Sequence, residues 1–128
     1  MSEQKKAAIE QVIAKYFDAS YNGSGEGMIE VFHPAAHIYG LRDSGALIDW
    51  PIEEFAELVA EDDPPAKSGQ PREDEILAIR FTGEREAAAF VTLRIGQTRY
   101  TDVLNFIEFE GRWQVIAKML AAAAVTAE

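Results

Sequence analysis

Asp102 is the residue whose surroundings pose a chemical question. With Glu110-Gly111 read as a two-residue turn, Asp102 falls on the same strand face as Tyr100, Leu104 and Phe106. An ionised carboxylate among such neighbours is costly unless it is paired or hydrogen-bonded. That makes Asp102 the candidate catalytic residue, either a polar contact on a pocket floor or an acid that donates a hydrogen bond. The plainer alternative is a structural acceptor for a backbone amide or a tyrosine hydroxyl.

The other residues with chemical potential are few. His33 and His37 are the two histidines. On one helix their spacing would suit a metal, but Pro34 lies between them and no third ligand is evident, so no metal site is expected. His33 reads as a capping residue or a pocket donor, and His37 as an exposed residue beside a strand turn. Tyr16, Tyr39, Trp50 and Phe55 carry apolar bodies, the first three with a polar tip, a mixture suited to a flat heterocyclic guest. Each alone is equally at home in an ordinary core. No cysteine is present, so disulfides, zinc-thiolate sites and thiol nucleophiles are excluded. The serines lack a nucleophile motif. Gly23-Ser24-Gly25-Glu26-Gly27 lacks the preceding strand and the lysine of a phosphate loop. No cofactor is expected.

A chain of 128 residues, 48% of them hydrophobic, is expected to form one domain over 1–128 with a real core. The net charge of −10 repels nucleic acid and anionic lipid, so neither is an expected partner. No run approaches the ~20 apolar residues of a membrane helix. The start, Met1-Ser2-Glu3-Gln4-Lys5-Lys6-Ala7, lacks a signal-peptide core, which leads to a cytoplasmic expectation.

The elements that must position these residues follow from periodicity. Ile9, Val12, Ile13, Tyr16, Phe17 and Ser20 recur at helical spacing and predict a helix over 3–21. Asn22-Gly23-Ser24-Gly25 stops it. A short helix is expected over 26–32, capped by Ser24 and ended by His33-Pro34. A small hairpin, 36–41 and 46–49, leads to a third helix opening at Asp49-Trp50-Pro51, with Asp49 as its cap. Residues 61–71 read as a loop that could act as a flap. Strands are expected over 75–81 and 86–95, followed by a long hairpin from Arg99 to Lys118. Ala121–Ala124 reads as a strand end or a frayed tail. The expected fold class is α+β: a curved antiparallel β-sheet wrapped by three N-terminal helices into a cone.

The Glu110-Gly111 turn sets a register in which Phe109 pairs with Arg112, Phe106 with Val115, Leu104 with Ala117 and Asp102 with Met119. One face then carries Tyr100, Asp102, Leu104, Phe106, Trp113, Val115, Ala117 and Met119 and is assigned to the helices. The other carries Val103, Asn105, Ile107, Phe109, Gln114, Ile116 and Lys118. That second face is apolar enough to predict a partner, and homodimerisation through the sheet is expected.

The order of elements resembles the nuclear-transport-factor-2-like superfamily, also called cystatin-like or SnoaL-like, and within it the Putative lumazine-binding family. The residues that carry the likeness are Tyr16-Phe17-Asp18-Ala19-Ser20-Tyr21-Asn22-Gly23, Phe32-His33-Pro34-Ala35-Ala36, Tyr100-Thr101-Asp102-Val103-Leu104, and Gly111-Arg112-Trp113 through Lys118. The resemblance implies a pocket between sheet and helices, and a dimer. It does not imply an activity. The superfamily also holds ketosteroid isomerases, limonene epoxide hydrolases and polyketide cyclases. Where the isomerases carry their catalytic aspartate this chain has Gly40, so the base for enolisation is missing. Asp102 lies on a strand comparable to the one that bears their oxyanion-hole acid.

Three functional readings follow. The first is a homodimeric small-molecule-binding domain for a pteridine- or flavin-like heterocycle, with Tyr16, His33, Tyr39, Trp50, Phe55, Tyr100 and Asp102 as pocket residues. Its dimer face would be Val103, Asn105, Ile107, Phe109, Ile116 and Lys118. The second is a lyase, isomerase or cyclase using Asp102 with His33 or Tyr16. The third is a dimerisation module whose cavity is filled by its own side chains.

Overall fold

The computed structural model describes residues 3–125; residues 1–2 and 126–128 of the single domain expected over 1–128 lie outside the described residues. The chain opens with α1 (Glu3–Asn22) and α2 (Gly25–Val31), then β1 (Phe32–Leu41) and β2 (Leu47–Pro51). Next come α3 (Ile52–Glu61), a single turn of helix α4 (Pro65–Ser68), and four long strands, β3 (Asp74–Phe81), β4 (Glu86–Ile95), β5 (Thr98–Phe109) and β6 (Arg112–Ala124). This is the α+β architecture expected, a curved sheet with its helices on one side.

The helices begin where side chains permit. The Ser24 hydroxyl accepts from Gly27 N at 2.9 Å and so caps α2. Asp49 does not cap α3, contrary to expectation. It belongs to β2, where it pairs with His37 at 2.6 Å, and Pro51 enters α3 without a side-chain cap. The presumed loop over 61–71 contains α4 and is tied to α1, since the Tyr21 hydroxyl donates to the Gln70 carbonyl at 2.6 Å. α2 and α3 approach so closely that a Cβ on Gly25 would meet the Ala56 carbonyl oxygen at 2.7 Å.

Six strands form one sheet in the order β2-β1-β6-β5-β4-β3, with β2 and β3 at its edges. All neighbours are antiparallel except β1 and β6, which run parallel, a departure from the all-antiparallel sheet expected. β1 begins at Phe32 rather than Ala36. Proline cannot donate to a ladder, and Pro34 is accommodated because the β1–β6 register shifts between Phe32 and His37.

The β5–β6 turn is as expected, with Glu110 and Gly111 both at positive φ (51° and 81°). From Phe109–Arg112 to Phe106–Val115 the register also holds. It then slips: Asn105 pairs with Ala117, Leu104 with Lys118, Val103 with Met119 and Asp102 with Leu120. Ile116 is therefore the extra residue of a bulge, and every side chain beyond it changes face. Lys118 turns inward and is buried, whereas Met119 turns outward and is 59% exposed.

The core lies between the sheet's inner face and the helices. Ile9, Ile13, Tyr16, Phe17, Met28 and Phe55 of the helices close over Phe32, Ile38, Ala89, Val91, Leu104, Phe106 and Val115 of the strands. Burial of these apolar surfaces is the main stabilising contribution.

Candidate functional site

At the open end of the inner face the core gives way to a cavity of about 620 Å³, within the size range of small-molecule sites. Tyr16 reaches it from α1, Trp50 from β2, Phe55 from α3, Tyr100 and Asp102 from β5, and Lys118 from β6. Trp50 and Phe55 lie nearly parallel, 17° apart with centroids at 6.3 Å. Phe32 meets both Phe55 and Tyr16 edge-on, which joins the aromatic wall to the core. The rim carries Asp43, Glu54, Asp62 and Asp63 against one arginine, Arg42. Asp63 is partly neutralised by Lys67 at 3.0 Å.

The floor is a polar trio in an otherwise apolar setting. Lys118 Nζ donates to the Tyr16 hydroxyl at 2.6 Å, and that hydroxyl donates to Asp102 Oδ2, also at 2.6 Å. The direct Lys118–Asp102 separation is longer, 3.8 Å. Tyr16 thus stands between a cation and an anion, accepting from one and donating to the other. Lys118 Nζ also sits 4.3 Å from the Phe55 ring centroid and 5.0 Å from that of Tyr16, a partial replacement for lost water.

Burial governs the electrostatics here. It pushes the Tyr16 phenol well above its usual value, the Asp102 charge and hydrogen bond adding to the shift while Ser20 opposes it. Tyr100 is raised for the same first reason, with the charges of Asp102 and Asp62 contributing. The Lys118 ammonium is lowered by desolvation, and Asp102 pulls the other way. Asp102 Oδ1 is fully buried and has no hydrogen-bond partner among the described residues. An acceptor left unmade in such a place is costly, so its position beside a cavity is informative.

The structure brings together five of the seven pocket residues inferred from sequence, Tyr16, Trp50, Phe55, Tyr100 and Asp102. His33 is elsewhere: it stands edge-on to Phe109 at 4.8 Å, and its Nδ1 accepts from Ala35 N. Tyr39 is 36% exposed and stacks on His37 instead of entering the cavity. Lys118 moves the opposite way, from the outer face of the expected register to the cavity floor, because of the bulge at Ile116. A lone lysine in an apolar strand was the available signal. Val103, Ile107 and Ile116 are half-buried on the outer face, with Asn105 and Phe109 more exposed. No group of His, Asp and Glu among the described residues has a metal-holding arrangement. No helix among them is long and apolar enough to cross a membrane.

Comparison with known proteins agrees with this geometry. An NTF2-like protein of unknown function from Shewanella baltica has a TM-score of 0.87 at 24% identity, the alignment covering 96% of this chain and 98% of that one. Another from Silicibacter pomeroyi has a TM-score of 0.83 at 18% identity, covering 96% and 100%. A ketosteroid isomerase-like protein from Erwinia carotovora has a TM-score of 0.74 at 14% identity, covering 96% and 99%. At such identities the likeness is one of fold. No curated protein matches the chain. The family model described as "Putative lumazine-binding" matches residues 4–121. With nearly its whole length so matched on an NTF2-like fold, the chain belongs to the Putative lumazine-binding family.

Proposed function

We propose that the protein binds a flat heterocycle of the pteridine or flavin type in this cavity and acts as a homodimer. The observation that carries the binding reading is Asp102 Oδ1, a buried carboxylate oxygen with no partner among the described residues, on the floor of a cavity of about 620 Å³. A ring N–H of a pteridine or isoalloxazine would supply the missing donor, while Trp50, Phe55 and Tyr100 offer faces to the ring system. The family description supports this ligand class. The acidic rim favours an uncharged or cationic guest over a phosphorylated one.

The homodimer rests on the outer sheet face. Met119 (59% exposed), Phe109 (42%) and Phe90 (38%) lie there beside Val103, Ile107 and Ile116, and covering such a surface with a second copy removes it from water. Lys118 has no part in that interface. A cavity of this volume argues against a pure dimerisation module. The enzymatic alternative keeps one supporting observation, the Tyr16–Asp102 hydrogen bond, while His33 stands too far from the cavity to be their partner.

The test is mass spectrometry of small molecules released from the purified protein, with an absorbance scan and a thermal-shift screen of lumazine and riboflavin. A released heterocycle or a stabilising shift is expected. A blank in all three contradicts the reading.

A further inference from the structure

Among the described residues Lys118 is the one buried lysine, and its surroundings are more elaborate than charge neutralisation requires. A lysine serving only to balance Asp102 would make direct contact. Here the carboxylate stands 3.8 Å away and the Tyr16 hydroxyl is interposed, 2.6 Å from each partner. Two short hydrogen bonds in series form a proton path. As the Nζ proton moves to the Tyr16 oxygen, the Tyr16 proton moves to Asp102 Oδ2, leaving an amine, a phenol and a carboxylic acid. Net charge is unchanged, and the buried ion pair with its desolvation cost is removed. Burial already favours the uncharged amine. Lys118 is among the residues that line a cavity with room for a small molecule, and its Nζ lies beside the Phe55 ring.

We propose that Lys118 forms an imine with an aldehyde or ketone taken into the cavity. The Nζ lone pair attacks the carbonyl carbon, a C–N bond forms, and the C=O π pair moves to oxygen. The oxygen takes one proton from the Tyr16–Asp102 path and the nitrogen returns one to it, giving a carbinolamine. The hydroxyl then accepts a second proton from the same path and leaves as water, while the nitrogen forms the C=N bond and returns its remaining proton to that path. Carbonyl compound and amine become imine and water, with no change of oxidation state. Tyr16 and Asp102 carry the protons. The inference rests on the cavity admitting small molecules, as in the reading above, but asks more of it.

The full chain is incubated with benzaldehyde and sodium cyanoborohydride near neutral pH, and the reduced adducts are mapped by peptide mass spectrometry. The expected result is modification at Lys118 about tenfold ahead of Lys5, Lys6, Lys15 and Lys67, since a desolvated lysine carries more free amine. Tyr16→Phe should slow labelling at Lys118 about tenfold and leave the other lysines unchanged, which a structural role alone would not do. Adducts confined to the other lysines, in protein that still binds lumazine by calorimetry, overturn the imine and leave the binding reading standing. Adducts at Lys118 without lumazine binding do the reverse. If Tyr16→Phe fails to fold, the wild-type map alone decides.

Discussion

The Tyr16 hydroxyl donates to Asp102 Oδ2 at 2.6 Å across 86 positions of sequence, joining the first helix to the fifth strand at the bottom of the cavity. With Lys118 donating to the same hydroxyl, three buried polar groups share two hydrogen bonds. Truncating any one of them strands the others. Tyr16→Phe removes both bonds and is expected to cost about 1–3 kcal/mol. Lys118→Met, which leaves a buried carboxylate without its cation, is expected to cost about 3–5 kcal/mol. Asp102→Leu combined with Lys118→Met should cost less than the sum of the single changes, with a coupling of about 1–3 kcal/mol. Urea unfolding of wild type, Tyr16→Phe, Lys118→Met, Asp102→Leu and the double variant measures this, and additive costs would show that the trio does not act as a unit.

Alkaline stability should carry the signature of the same groups. Lys118 is lowered in the native state from its ordinary 10.5, so between its native value and 10.5 the unfolded chain holds more protons than the folded one. Stability contributed by this group therefore rises with pH through that window, and it is lost as pH falls through the native value. Tyr16, raised well above 10.0, has the opposite sign: its contribution is full below 10.0 and disappears as pH rises through the native value. Urea midpoints at steps toward pH ~10 should climb more in wild type than in Lys118→Met. Parallel curves would contradict the assignment.

Packing between the two short helices gives a backbone test. Gly25→Ala places a methyl 2.7 Å from the Ala56 carbonyl oxygen, and backbone cannot swing aside as a side chain can. A loss of about 1–3 kcal/mol is expected. Ser24→Ala, one residue earlier, removes only the cap on Gly27 N and should cost about 1 kcal/mol. Thermal unfolding of both variants separates the two effects, and an unchanged Gly25→Ala would mean that α2 and α3 are less closely packed.

Much of this architecture is legible before any coordinates. The helical stripe from Ile9 to Ser20, the Ser24 cap and the Glu110-Gly111 turn each follow from local chemistry, and Asp102 is identifiable by its neighbours. The bulge is not. Ile116 differs in no side-chain property from an ordinary strand residue, yet one extra residue exchanges Lys118 and Met119 between faces. The parallel β1–β6 pairing joins segments about eighty residues apart, beyond the reach of periodicity. The misplacement of His33 and Tyr39 has a similar origin, because their positions depend on which strands flank β1 and how far the sheet curves.

Ligand charge should matter at the cavity mouth. Asp43, Glu54, Asp62 and Asp63 outnumber Arg42 there, so riboflavin is expected to bind more tightly than its phosphate ester. The difference should be about three- to tenfold at low salt and shrink as ionic strength rises. Fluorescence titration of the two flavins at two salt concentrations reads it. Tighter binding of the phosphate ester would place the anion away from this rim.

The central claim is that Asp102 Oδ1 waits for a donor from a bound heterocycle, and calorimetric titration with lumazine tests it most directly. Wild type should give saturable one-to-one binding accompanied by quenching of Trp50, and Asp102→Asn should bind about tenfold or more weakly, the loss of a hydrogen bond to a charged acceptor. No binding by a folded wild type, or equal affinity in Asp102→Asn, would contradict it.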